Sequence, residues 1–214
     1  MAASTTTVRW LGVGGVIAPV GFVTAALIQG LTRPDYSLLA DPISALAAGP
    51  NGWIQDLNFA VTGALMIGFA IGIHLTVTPT RAGAIGPVFV ALFGVGLLGA
   101  AAFPATDAAG QFIDDRVPHV VANLVALSSA ALGALVLSWR LARDPAWKPL
   151  AGYVRTVGVT LVVLFLAGSA VVRPAGAPFH EWLGLFQWIF LAVWYPTVVV
   201  LALRLIRPPM ATDA

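Results

Sequence analysis

An all-α membrane protein, a bundle of six transmembrane helices, is the fold class this sequence predicts, and three observations carry that prediction. The 214-residue chain is 59% hydrophobic and only 9% charged, where a soluble domain carries about 25% charged residues. Its mean hydropathy is +0.91. The apolar residues gather into six runs, each close to the roughly 20 residues of helix needed to cross a hydrocarbon layer. The runs lack the short alternating pattern of a membrane β-barrel, which leaves helix as the structure that satisfies its own backbone in lipid. The six runs are read as a single transmembrane domain over residues 1–214, with no internal repeat, low-complexity tract or soluble domain.

The first span, Trp10–Leu31, has the look of a signal peptide, since Arg9 precedes it and alanines follow. Its apolar run exceeds the roughly 7–15 residues of a signal-peptide core, so the span is expected to be retained. The connection from Thr32 to Asp56 is the one long loop. Within it, Asp41-Pro42-Ile43-Ser44 reads as the start of a short helix, with Asp41 as its cap and Pro42 in its first turn. Such a helix would lie at the membrane surface, anchored by Trp53. The second span is Leu57–Thr78, with Gly68 and Gly72 four residues apart. The third, Gly83–Ala105, stops at Phe103-Pro104, and the fourth, Val117–Trp139, carries Ser129 and Gly133 at the same spacing. Small residues so spaced let helix backbones approach closely. The fifth is Tyr153–Val172 and the sixth Trp182–Leu203, which Pro196 should kink.

Basic residues set the orientation. With six crossings, Arg9, Arg81, Arg140, Arg143, Lys148, Arg155, Arg204 and Arg207 share one side, and only Arg33, Arg116 and Arg173 share the other. Both termini are therefore expected in the cytoplasm. The net charge of +2 is scattered between apolar runs, so it does not form a nucleic-acid patch. There is no cysteine, which removes disulfides, thiolate chemistry and thiolate-held metals.

The acids were not used to orient the chain, and seven of nine fall on the outer side: Asp35, Asp41, Asp56, Asp107, Asp114, Asp115 and Glu181. Asp144 and Asp213 fall inside. His119 and His180 also lie outside, each at the start of a span, whereas His74 stands alone near the inner end of the second. One reading is that outer loops simply need charge to stay wetted. The other is an acid-lined mouth: Asp41, Asp107 and Glu181 at helix ends, with His119 as proton partner. A carboxyl group partly withdrawn from water has its pKa raised and can act as a general acid. In the last span Trp182, Phe186, Phe190 and Trp194 recur every four residues, flanked by Trp188 and Tyr195, with Gln187 among them. The stripe reads either as lipid-facing packing or as the aromatic wall of a cavity, able to hold an apolar chain or stabilise a cation. Gln187 at that depth should face a partner or a cavity.

The order of several short motifs is familiar: Arg33-Pro34-x-Tyr36, Ile43-Ser44-x-Leu46, Gly52-Trp53-x-Gln55 and Asn58-Phe59-x-x-Thr62-Gly63, then Phe103-Pro104-x-x-Asp107 with His119 twelve residues on, then Gly184-Leu185-Phe186-Gln187. In this the chain resembles the DUF998 family of bacterial membrane proteins over nearly its whole length. Members often carry a basic residue after the last Gln, where this chain has Trp188. The resemblance implies a six-helix membrane fold in the bacterial cytoplasmic membrane and no settled reaction. A similarity without shared motifs, in size and span number only, links the chain to small polytopic terpene cyclases.

Three functions are open to such a chain. The first is an enzyme of isomerase or cyclase type acting on a lipid or prenyl substrate, in which Asp41, Asp107 or Glu181 protonates the chain and aromatic faces stabilise the carbocation. It needs no metal, nucleotide or other cofactor. The second is a lipid-binding, transport or accessory protein, in which Arg33, Arg116 and Arg173 hold an anionic head group and Trp53 and the wall of the last span hold the tail. The third is a metal site from Asp107, His119, His180 and Glu181, or a haem between the two histidines, though no close spacing such as HExxH supports it. Membrane lipids and a hydrophobic small molecule are the expected partners; the sequence does not set an oligomeric state.

Overall fold

The computed structural model of the chain describes residues 4–77, 84–113, 115–174 and 176–207. The expected span ends Thr78 and Gly83, and the charged residues Arg81, Asp114 and Asp213, lie outside the described residues. Six long helices make up the fold: α1 (Thr5–Thr32), α2 (Gly52–Thr76), α3 (Ile85–Ala102), α4 (Val117–Leu141), α5 (Lys148–Ala167) and α6 (Leu183–Ile206). Every one contains a stretch long and apolar enough to cross a membrane. The protein is thus an all-α, multi-pass membrane protein.

Helices α1, α2 and α5 each begin about five residues before the apolar run that marks them. Apolar composition marks membrane depth, whereas a helix continues through the interface wherever its backbone finds partners. Pro149 fits the first turn of α5, since its missing N–H is not needed there. At its far end α5 passes into a π-helical turn, Gly168–Val172. α3 stops at Ala102, because Pro104 cannot continue it. α6 runs on through Pro196, as α1 does through Pro19.

Each helix packs on its successor, and α6 returns to α1, closing a ring. The seam between α5 and α6 is the shortest in that ring. α5 is also the most peripheral member: 22% of its span is buried, against 39–44% of the others. At two crossings, α2 on α3 and α3 on α4, backbone packs directly on backbone. A β-carbon on Gly63 would lie 2.6 Å from the Gly94 carbonyl oxygen, and one on Gly94 equally close to that of Gly63. Gly96 is as close to the Ala126 amide of α4. Of the small residues read from spacing, Gly72 and Gly133 do sit at crossings, but Gly68 meets only the tip of Leu11 at 3.5 Å.

The start of α1 and the end of α6 meet at one end of the bundle, where Gly12 packs on Leu205; we call it the terminal end. The opposite, loop end is closed by the segment between α1 and α2. The short helix expected there forms as a 3-10 helix, Ile43–Ala47, with two differences from expectation. Pro42, not Asp41, occupies its N-cap position, and no side chain caps it. All five of its residues are buried, so it plugs the ring instead of lying on the surface, and Trp53 points outward from α2 at 62% exposure.

Candidate functional site

Two side chains hold the plug. Arg33, just past the end of α1, donates from Nη1 to the carbonyl oxygens of Ala45 and Ala48, each at 3.1 Å. Those carbonyls sit at the C-terminal end of the 3-10 helix, where partners within the helix run out. At the other end the amide of Ile43 donates to Gln187 Oε1 at 2.8 Å. Glycines let the neighbouring backbones come close enough: Gly52 abuts the Ala47 carbonyl and Gly184 the Asp41 carbonyl. Gly49, at φ 77°, is in the left-handed region that glycine adopts freely. Its amide donates to the Gly110 carbonyl, tying this segment to the loop between α3 and α4.

Beneath the plug lie two adjoining hollows. The inner chamber, about 40 Å3, is bounded by Phe22, Phe59, Phe93 and Tyr195 and by the polar Ser44, Asn123 and Gln187. The rings meet at edges, Phe22 to Tyr195 at 5.6 Å between centroids and Phe93 to Tyr195 at 6.3 Å. The second hollow, about 70 Å3, lies between α4, α5 and α6 and is lined by Leu164, Phe165, Gly168, Phe186 and Phe190 among others. It reaches the outer surface of the bundle at Leu124 and Ser169, both exposed. Asn123, Leu127 and Gln187 line both spaces, so they form the wall or doorway between them. The π-helical turn of α5 starts at Gly168, where a β-carbon would lie 2.9 Å from the Phe186 ring.

One polar group in the chamber wall is unsatisfied. Tyr195 is 3% exposed, and its hydroxyl has no hydrogen-bond partner. Leaving such a group unpaired costs about 1–3 kcal/mol. A space this size has room for water, or for one polar atom of a larger guest, beside Tyr195, Asn123, Gln187 and Ser44.

The acids read as catalytic lie elsewhere. Asp107 is exposed, and its Oδ1 accepts from the amides of Ala109 and Gln111, both at 2.8 Å, so it shapes its own loop. Asp41 is half-buried and its Oδ2 accepts from the Ser37 amide at 2.7 Å. Glu181 is exposed in the 3-10 turn His180–Trp182. None of the three lines either hollow. His119 is buried, with Nδ1 donating to the Phe103 carbonyl at 2.9 Å. His180 makes the equivalent bond to Val172 at 3.1 Å. Both therefore fasten a loop to its helix. Among the described residues no three His, Cys, Asp or Glu side chains gather as they would around a metal.

The residues read as substrate-binding divide. Phe186, Gln187 and Phe190 line the slot between α4, α5 and α6, and Gln187 and Tyr195 line the chamber. Trp194 is buried edge-on against Phe93, 5.8 Å between centroids, and lines neither space. Trp188 is half-buried and packed against the core. Trp53 faces outward, Arg33 is committed to the plug, and Arg116 donates to the carbonyls of Pro104 and Thr106. Arg173 lines the mouth of the slot. Residues not singled out are Ser44, Asn123, Phe22 and Phe93. Asn123 has a legible signal, a lone amide in the second turn of the fourth apolar run. A second polar group that spacing alone did not expose joins α1 to α2: fully buried Gln55 accepts from Gln29 at 3.0 Å and from Asn58 at 3.2 Å.

Next to the plug, Tyr36 donates its hydroxyl to the Asp41 carbonyl at 3.2 Å. Burial first and the Asp41 charge second push its phenol well above the ordinary value, Arg33 opposing them. The folded state thus keeps a proton that the unfolded chain gives up near pH 10. Stability held by this loop is complete below pH 10 and falls as pH rises beyond it. Melting curves from pH 9 to 12 should therefore drop more steeply for the natural chain than for Tyr36→Phe; parallel curves would contradict this.

A family model described as a protein of unknown function, DUF998, matches residues 16–204. No curated protein and no solved structure matches the chain.

Proposed function

From the premise that this chain belongs to the DUF998 family, whose function is unknown, we propose that it binds an amphipathic lipid or prenylated molecule between α4, α5 and α6. The guest's uncharged polar group reaches Tyr195 and Gln187, and its apolar chain lies along Phe186, Phe190 and Leu164. The terminal end faces the cytoplasm of a bacterial cell, by the excess of basic residues there, so the hollow belongs to the outer half of the membrane. The observation that carries this reading is the buried, unpartnered hydroxyl of Tyr195 in a chamber next to an apolar slot that reaches the lipid-facing surface. Tyr195 lies about 18 Å along α6 from its first residue, at a helical rise of about 1.5 Å, so the guest would extend toward mid-membrane.

The spaces are smaller than a prenyl chain, so entry requires the wall to yield. α5 is the wall suited to this, being peripheral, joined to α6 along the shortest seam, and π-helical beside Phe186. Binding is preferred to acid-initiated cyclisation because, among the described residues, no carboxyl group lines the hollow.

Tyr195→Phe tests the proposal with two opposite effects. The lipid-free variant should be more stable by about 1 kcal/mol, since it no longer buries an unpaired hydroxyl. Its retention of a prenyl alcohol, followed by native mass spectrometry of the full chain in detergent, should fall about tenfold for the lost hydrogen bond. Unchanged retention would sink the reading. Turnover of the prenyl alcohol that vanishes in Asp107→Asn or Glu181→Gln would replace it with the enzymatic one.

A further inference from the structure

The terminal end of the bundle holds a buried guanidinium with two nitrogens that no hydrogen bond reaches. Arg140 stands in the last turn of α4 with 8% of its surface exposed, and its Nε and Nη2 are both buried without a hydrogen-bond partner. These two nitrogens present the side-on pair of parallel N–H bonds, the fork that grips two oxygens of one anion. A buried guanidinium left in this condition is strongly unfavourable. The carbonyls at the end of its own helix favour a positive charge there, but they accept no bond from either nitrogen. Of the charged groups at this end, Arg143 donates to Trp139, Arg204 donates to Ala146, and the buried Asp144 carboxylate accepts from the Ala146 amide and bonds neither of these two nitrogens.

A second feature of the opposite helix points the same way. A β-carbon on Gly86 would lie 3.0 Å from the Leu137 α-carbon, so the first turn of α3 packs against α4 at Leu137. The helices are antiparallel, and Arg140 is one turn beyond Leu137 toward the terminal end. The register therefore sets Arg140 beside the N-terminus of α3. That N-terminus has Ala84 at its N-cap and no side-chain cap; in its first turn Ile85 and Gly86 carry the amide hydrogens that favour an anion, and Pro87 carries none.

We propose that Arg140 and the first turn of α3 hold a phosphate group at the terminal end of the bundle. Phosphate matches the fork in geometry, and in a phospholipid bilayer it is the anion found at the depth of a helix end. The group would come from a lipid head group of the adjoining leaflet or from a soluble phosphate. This site is independent of the hollow beside Tyr195, at the other end of the molecule.

The full chain, delipidated in a maltoside detergent, would be melted with inorganic phosphate in one arm and phosphatidylglycerol in the other, at constant ionic strength set with chloride. The melting temperature should rise in at least one arm: phosphate alone marks a soluble ligand, phosphatidylglycerol alone a lipid head group, and both a shared phosphate site. Arg140→Gln should abolish the rise, and Arg140→Lys, which keeps the charge without the fork, should need about tenfold more ligand. No rise in either arm, or the same rise in Arg140→Lys as in the natural chain, would overturn the proposal. The lysine variant keeps that outcome readable if Arg140→Gln does not fold.

Discussion

Gly63→Leu should prevent the bundle from forming. A β-carbon at this position would already lie 2.6 Å from the Gly94 carbonyl oxygen, with the Leu98 amide at 3.1 Å behind it. Overpacking a well-filled core costs about 1–3 kcal/mol when side chains can shift. Here the obstacle is the backbone of α3, which moves only if the whole helix moves. That would also lift α3 from α4, where Gly96 is held just as closely against Ala126. A cost above about 3 kcal/mol is a large part of the about 5–15 kcal/mol that holds a domain together. Size-exclusion chromatography should show loss of the monodisperse peak for Gly63→Leu, and Gly63→Ala should lower the melting temperature. Gly68→Leu, one and a half turns along the same helix, should melt with the natural chain, because only the flexible tip of Leu11 stands near it. Equal melting of Gly63→Leu and Gly68→Leu would refute the backbone contact.

The contrast between Gly63 and Gly68 also shows what can be read from a sequence of this kind. Six apolar runs are a property of chain and solvent, so span number and order are legible without any tertiary information. Which glycine lies under a neighbouring helix depends on helix rotation and pairing, and the apolar faces of membrane helices are too uniform to fix either. Gly63, Gly94 and Gly96 are indistinguishable by local spacing from glycines that face open space, such as Gly21. Helix ends differ from the ends of the apolar runs for a related reason: Gln55, Asp56 and Asn58 interrupt the apolar run but not the helix, since Gln55 and Asn58 find partners across α1 and α2.

At the candidate site the reading of α6 carried further than the reading of the loops. Gln187, Phe186 and Phe190 share one side of a helix, a placement set by the 3.6-residue period, and they do line a hollow. The carboxylates were grouped by their side of the membrane alone. Being on one side does not bring acids of different loops together, and two of them have nearer partners. Asp107 and Asp41 satisfy backbone amides two to four residues away, the short-range bonding for which aspartate is suited in turns. Arg33 was likewise read as a head-group clamp, yet its fork met the carbonyls of Ala45 and Ala48 from its own loop.

That placement of Arg33 leads to the second large effect. Arg33→Met keeps most of the apolar stem and removes the donor, leaving two carbonyls at the end of the 3-10 helix short of a partner. Hydrogen bonds from a charged group contribute about 1.5–3 kcal/mol, and one nitrogen serves both carbonyls, so a loss of about 2 kcal/mol is expected. The consequence is local before it is global, because the plug packs on the ring without being continuous with any of its helices. Opening of residues 43–48 should become roughly 30-fold more frequent, read as faster amide exchange in that peptide by mass spectrometry while α2 and α3 keep their protection. Gln187→Leu removes the support at the other end, the bond to the Ile43 amide, and should speed exchange in the same peptide. Both bonds break when the plug opens as one element, so the two losses of free energy add, and the double variant should exchange faster by about the product of the single effects. A double variant no faster than the quicker single one would mean that the two ends of the plug open separately, and that Arg33 does not act on the roof of the chamber that Ile43 and Ser44 form.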